Sequence, residues 1–180
     1  MPRILLADDS PHAQRMGERI LQEEGYEVVV AGPEARLYHT VIHEIPPDSS
    51  IPWDITQERP GYFIKASLAF RDAKGSDFAG AFVSGGRAPE YIRYDKDLLR
   101  VMREIHEAGK PIACVCHGIE ILTAAGIIQG RTVTTVPKCK LDAEQGGALY
   151  VDKEVVLDGH FVTSRYWMDN AHLLLSLIHI

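Results

Sequence analysis

The amino-acid sequence predicts an α/β domain, a mostly parallel sheet with helices on both faces. Three observations predict it. Short apolar runs alternate with helical patterns along most of the chain. The 180 residues suffice for one domain with a real core. The apolar run at 112–115 stops at Cys116-His117-Gly118 and passes directly into helical composition, as a strand–turn–helix unit does.

Taken in order, Arg3 to Ala7 is a short apolar strand. Asp9 or Ser10 can cap a helix from Pro11 to Glu24, with Met16, Ile20 and Leu21 on one face. Gly25 stops that helix, and Tyr26 to Ala31 reads as the second strand. Gly80 to Val83 is a buried strand leading into Ser84-Gly85-Gly86. Asp95 or Asp97 starts a helix to Ala108, with Leu98, Leu99, Met102 and Ile105 at helical spacing, and Gly109 and Pro111 end it. After the elbow strand and the helix from Ile119 to Ala125, short strands are predicted at 131–136, 148–151, 154–157 and 161–163. A last helix covers Asn170 to Leu177, and the closing Ser-Leu-Ile-His-Ile has the look of a truncated or non-native end.

Residues 36–68 break the rhythm. Leu37 to Glu44 alternates like a strand, and Pro46, Pro47, Pro52 and Pro60 then interrupt it repeatedly. With Trp53, Tyr62 and Phe63 among polar residues, the stretch at about 45–61 reads as a proline-rich insertion: a lid, a subunit contact or a surface excursion.

Composition excludes several classes. A net charge of −6 offers no nucleic-acid or anionic-membrane surface, and no apolar run approaches the ~18 residues of a membrane span. Three cysteines without metal-site spacing fit a reducing cytoplasm rather than a disulfide framework, and no basic-then-apolar leader opens the chain. The expectation is a cytoplasmic protein.

The chemistry is expected at Cys116. A strand that turns sharply into a helix lifts the turn side chain clear of the sheet and faces it with the unpaired N–H groups of the first helical turn. Those dipoles favour thiolate over thiol, so alkylation of Cys116 should titrate below the ~8.5 of a free thiol. The competing reading is a small buried hydrophobe, the common fate of a free cysteine. An oxyanion would find donors in the backbone N–H of His117 and in the Gly85-Gly86 turn, where glycine lets the backbone approach a ligand.

Gly85-Gly86-Arg87-Ala88-Pro89-Glu90, Gly109-Lys110-Pro111, the Ala-Cys-Val-Cys-His-Gly elbow and Val162-Thr163-Ser164-Arg165 stand in an order that resembles the ThiJ/PfpI superfamily, especially its PfpI-type intracellular cysteine peptidase branch. The likeness covers about residues 77–170. It implies a flavodoxin-like three-layer sandwich related to class I glutamine amidotransferases, with Cys116 as nucleophile and His117 as catalytic partner. It also implies a homo-oligomer, a dimer or a hexamer, with active sites near subunit contacts. No cofactor or metal is implied.

The chain departs from the family near its start. Members carry a glutamate after the first strand, whose carboxyl group meets the sulfur; here the stretch is Asp8-Asp9-Ser10-Pro11-His12, with no glutamate before Glu18. Asp9 or Asp8, Ser10 or His12 can stand in, or Glu58 can serve as the acid if a lid or neighbouring subunit brings it close. The opening Arg-Ile-Leu-Leu-Ala-Asp-Asp-Ser also resembles a response-regulator receiver, but Asp54 lacks the apolar run that a phospho-accepting aspartate needs before it.

Other candidates read as structural. Arg87 and Glu90 form a local ion pair, and Arg165 pairs with Asp169 or faces the pocket. His39 and His43 share one face without a third metal ligand. His106 is solvated, while His160 and His172 can reach the site from the edge of the fold. Cys114 packs in the core or shares a face with Cys116, and Cys139, between Lys138 and Lys140, is a surface thiol with a lowered pKa. The leading expectation is a cysteine-dependent hydrolase of peptide or amide bonds, its substrate a peptide or small molecule. The alternatives are a glyoxalase or deglycase acting on reactive carbonyls, and a redox-sensing stress protein or chaperone that turns nothing over.

Overall fold

The structure is a computed structural model that describes residues 1–7, 18–44 and 57–179. Its centre is a seven-stranded sheet. The strands are β1 (Arg3–Ala7), β2 (Glu27–Gly32), β5 (Leu68–Ala69), β6 (Gly80–Val83), β7 (Ile112–Val115), β10 (Val155–Asp158) and β11 (Phe161–Ser164), in the order β10-β11-β7-β6-β1-β2-β5. Every pairing is parallel except that of β10 with β11. β6, β7 and β11 are buried at every position, which is why they read as unbroken apolar runs. The expected strands at 131–136 and 148–151 shrink to β8 (Thr132–Val133) and β9 (Leu149–Tyr150), a two-stranded parallel pair beside the main sheet.

Strand alternation sorts the core into two layers. Ala81, Val83, Ile112 and Cys114 face one side, where Leu98, Val101, Met102 and Ile105 of α3 (Lys96–Glu107) and Ile119 and Leu122 of α4 (Ile119–Ala125) cover them. Phe82, Ala113 and Val115 face the other side, under Leu21 of α1 (residues 18–23) and Leu173, Leu174 and Leu177 of α6 (Asn170–Ile178). The flavodoxin-like sandwich follows from this arrangement. Asp95 caps α3 by accepting hydrogen bonds from the N–H groups of Asp97 and Leu98 at 2.9 and 3.1 Å. The four α3 side chains at i, i+3, i+4 and i+7 are essentially fully buried, each stabilising the layer by about 1.5–3 kcal/mol relative to exposure.

The expected proline-rich insertion at about 45–61 falls only in part on described residues. Its residues 45–56 lie outside the described residues, as does the start of the helix expected from Pro11. Residues 57–61 belong to β4 (Gln57–Lys65), which pairs antiparallel with β3 (Leu37–Glu44). Pro60 sits opposite Val41, where the ladder shifts register after His39; a residue without an N–H is tolerated at such an irregularity. Tyr62 and Phe63 therefore project from a strand rather than a loop, and both are exposed.

Candidate active site

The site lies at the carboxyl ends of β6 and β7, the side on which open parallel sheets bind ligands. β7 is extended through Val115, and Cys116 then adopts φ = 56°, the only positive φ at a non-glycine residue among those described. A left-handed conformation costs a residue with a Cβ roughly 1–3 kcal/mol and persists only where the surroundings hold it. Here they do. The Thr135 hydroxyl donates to the Cys116 carbonyl at 2.7 Å, and the chain tightens into a 3₁₀ turn over Cys116–Gly118 before entering α4. The kink takes Cys116 out of the strand's alternation, so that it packs against both core layers while remaining partly exposed.

Two glycines make the close approach possible. A methyl group on Gly85 would lie 2.6 Å from Cβ of Cys116 and 3.3 Å from its sulfur. One on Gly118 would lie 2.7 and 2.8 Å from the carbonyl oxygens of Ser84 and Val83. The end of β6 and the elbow thus touch backbone to backbone, placing the Gly85-Gly86 turn against the sulfur; Gly86 itself has φ = 76°.

Around the sulfur runs a file of charged groups. Sγ of Cys116 is 3.3 Å from Nδ1 of His117. Nε2 of the same imidazole is 3.9 Å from Oε1 of Glu90, which lies on the short helix α2 (Ala88–Ile92). Nε of Arg87 holds that same Glu90 oxygen at 2.7 Å, and Arg87 is also ion-paired with Glu58 of β4. The Glu90 hydrogen bond is the main reason the Arg87 guanidinium holds its proton more tightly than usual. Glu90, read from sequence only as a turn-fixing partner of Arg87, thus lies within reach of the imidazole. Pro89 opens α2 and sets Glu90 in its first turn, but no local signal places that turn against the imidazole. Glu58 connects to His117 through Arg87 and Glu90. Asp8, Asp9, Ser10 and His12 lie outside the described residues.

Below the imidazole is a second polar group. Glu120 is buried, its Oε2 is 3.2 Å from Nη1 of Arg93, and Nη2 of Arg93 reaches Asp142 at 3.1 Å. Burial raises the Glu120 pKa and Arg93 opposes the rise. The Cys139 thiol is 3.5 Å from Oε1 of Glu120. This corrects the expected surface thiol with lowered pKa. In the 3₁₀ turn Pro137–Cys139 the flanking lysines point to solvent and Cys139 points inward. Burial and the Glu120 carboxylate then push its pKa far upward.

The other candidates fall away from the sulfur. Cys114 is buried in the core. His160 does not approach the site: it packs on Phe161, 2.9 Å from Nδ1 of His106, so His106 is half-buried rather than solvated. His172 is exposed beside Glu154 at 3.8 Å, and His39 stacks on Phe63. Arg165 pairs with Asp152 and Asp169 at 2.9 and 3.4 Å. A cavity of about 230 Å³ lies behind the Ser84–Ile92 segment between β2, β4 and α2; Cys116 is not among its walls, so it backs the site rather than forming it. Among the described residues no helix is long and apolar enough to cross a membrane.

Comparison with known proteins places the chain in a family. The chain is 36% identical over 145 residues to deglycase PH1704 of Pyrococcus horikoshii, covering 81% of this chain and 76% of the relative. It is 32% identical over 146 residues to deglycase PfpI of Pyrococcus furiosus, covering 81% and 77%. A ThiJ/PfpI domain protein from Brachyspira murdochii superposes with a TM-score of 0.79 at 14% identity, covering 99% of this chain and 94% of that one. Drosophila melanogaster DJ-1beta does so with a TM-score of 0.77 at 21% identity, covering 99% and 89%. The DJ-1/PfpI family model matches residues 16–180, and the chain belongs to that family.

Proposed function

We propose that this protein is a thiol-dependent deglycase, acting on adducts that reactive 2-oxoaldehydes form with amines and thiols. The observation that carries the reading is the strained Cys116, its sulfur 3.3 Å from an imidazole that is itself near a carboxylate. Several relatives that cover 81% of the chain at 32–36% identity are named deglycases, which favours carbonyl chemistry over peptide hydrolysis.

In this reading the adduct collapses, its hydroxyl proton leaving with the amine or thiol, and Nδ1 of His117 takes the Cys116 thiol proton as the sulfur adds to the freed aldehyde carbon. The imidazolium then returns that proton to the alkoxide, giving a hemithioacetal on the enzyme. Glu90 steadies the imidazolium so produced, as an orienting carboxylate does in other nucleophile–histidine pairs. The N–H groups of His117 and of the Gly85-Gly86 turn receive the developing oxyanion. Arg87 and Glu58 are positioning residues that act through Glu90. Asp9 and Asp8 remain candidates for the acid in the family's glutamate position. The exposed Tyr62 and Phe63 on β4 and Tyr91 and Tyr94 beside α2 support a homo-oligomer whose contacts lie near the site.

The test follows decay of the methylglyoxal hemithioacetal of N-acetylcysteine and of the matching lysine adduct, with casein hydrolysis measured in parallel. Adduct decay should vanish in Cys116→Ala, fall ~10²-fold or more in His117→Gln, and fall measurably in Glu90→Gln. Casein cleavage by a protein that leaves both adducts intact would overturn the reading in favour of a peptidase.

A further inference from the structure

One His, one carboxylate and one thiol converge beside the elbow without any spacing in the sequence that foretells it. The ligand-type atoms of His117, Glu120 and Cys139 all lie within 4.8 Å of one another. His117 and Glu120 fall on one face because the turn after β7 runs straight into α4, which sets them three residues apart on a helical path. Cys139 arrives from the 3₁₀ turn that precedes α5 (Lys140–Gln145).

One edge of a tetrahedral site is already set, and the imidazole closes onto it by a small rotation. Bonds of about 2.3 Å to sulfur and about 2.0 Å to oxygen, opened to the tetrahedral angle, set the two ligands about 3.5 Å apart. Sγ of Cys139 and Oε1 of Glu120 are 3.5 Å apart. The other Glu120 oxygen is held by Arg93 at 3.2 Å, and Arg93 is braced by Asp142. Arg93 therefore fixes the carboxylate and leaves Oε1 facing the cluster, the part an outer-shell residue plays at a metal centre. The mixed N, O and S donor set selects a borderline-soft ion such as Zn²⁺ and rejects Mg²⁺ and Ca²⁺. His117 is the partly exposed member, so an ion enters beside it while Glu120 and Cys139 close the site from below.

We propose that His117, Glu120 and Cys139 form a Zn²⁺ site, with solvent in the fourth position, and that its occupancy silences Cys116. On binding, Cys139 gives its thiol proton to solvent, and bonds form from zinc to that sulfur, to Oε1 of Glu120 and to an imidazole nitrogen. His117 then has one nitrogen on the metal and can no longer take a proton from Cys116. A ligand through Nδ1 breaks the contact to the sulfur, and a ligand through Nε2 leaves Nδ1 already protonated and parts the ring from Glu90.

The metal itself is tested without reference to turnover. In Cys116→Ser protein, one equivalent of Co²⁺ should produce a near-ultraviolet thiolate-to-cobalt charge-transfer band that Zn²⁺ abolishes. Adding Cys139→Ser should remove the band, and Glu120→Gln should weaken Co²⁺ binding ~10-fold or more. Circular dichroism checks the fold of each variant; if Cys139→Ser does not fold, Glu120→Gln carries the test. No band in Cys116→Ser, or a band that survives Cys139→Ser, overturns the site. The silencing rests on the deglycase reading and is tested separately. Zn²⁺ should inhibit adduct decay, a chelator should restore it, and Glu120→Gln should be less sensitive by the same ~10-fold factor. Inhibition of equal strength in Glu120→Gln would place the zinc directly on Cys116 and overturn the switch.

Discussion

At the scale of single residues, the three cysteines show how position decides reactivity. Cys114 and Cys116 are two residues apart, yet one is sealed in the core and the other stands partly open, because β7 ends between them and the backbone turns left-handed. Cys139, flanked by lysines, is also buried, and desolvation raises the pKa of both buried thiols. Iodoacetamide at neutral pH should therefore add a single carboxamidomethyl group per native chain, in the peptide that carries Cys116. Peptide mass mapping checks this, with Cys114 and Cys139 labelled only after denaturation. Labelling of Cys139 as fast as Cys116 in the native protein would contradict the buried turn. Cys116 and the two glycines that admit it were legible in the sequence, Gly118 from the elbow motif and Gly85 from the Gly85-Gly86 turn. Glu90 was not, because its distance to the imidazole depends on how α2 packs against the elbow.

At the scale of elements, the helix α3 was legible almost residue for residue. Its apolar spacing, the capping aspartate and the terminating glycine agree with one another, and Gly109 has the φ of 65° that a helix stop of this kind uses. Replacing Asp95 with alanine removes the two cap hydrogen bonds and should destabilise the domain by about 1 kcal/mol, with Asp95→Asn losing less. Urea denaturation midpoints measure both. Pairing between β3 and β4 was half legible: Leu37 to Glu44 alternates, but Pro60 hides its partner strand, because a residue that cannot donate to a ladder argues against one. The short helices α2 and α5 were missed, since five and six residues carry too little periodicity to read.

At the scale of the whole molecule, stability should depend on pH through a pair far from the site. His106 and His160 meet at 2.9 Å beside Arg131 and Phe161. Burial, foremost, and the neighbouring positive charges hold both imidazoles below their ordinary pKa. The unfolded chain therefore binds protons before the fold does. This contribution to stability is complete above about 6.5 and drains away as the pH falls below it. Urea unfolding measured from about pH 5 to about pH 7 should show midpoints that rise with pH, and His160→Gln should flatten that rise. A slope unchanged in the variant would assign the dependence to other groups.

The family, the layered sheet and the elbow that carries Cys116 were determined by the sequence alone, because each rests on local signals: apolar runs, caps, glycines and a motif at fixed spacing. Tertiary structure alone decided which charged groups surround the sulfur. Glu90 and Arg93 come from α2 and its end, Glu120 from α4 and Cys139 from the turn after β8, and their chemistry reveals no partner until these segments are packed together. Burial then reverses what the neighbours in sequence suggest, as at Cys139, because desolvation by the fold outweighs two cations that point to water.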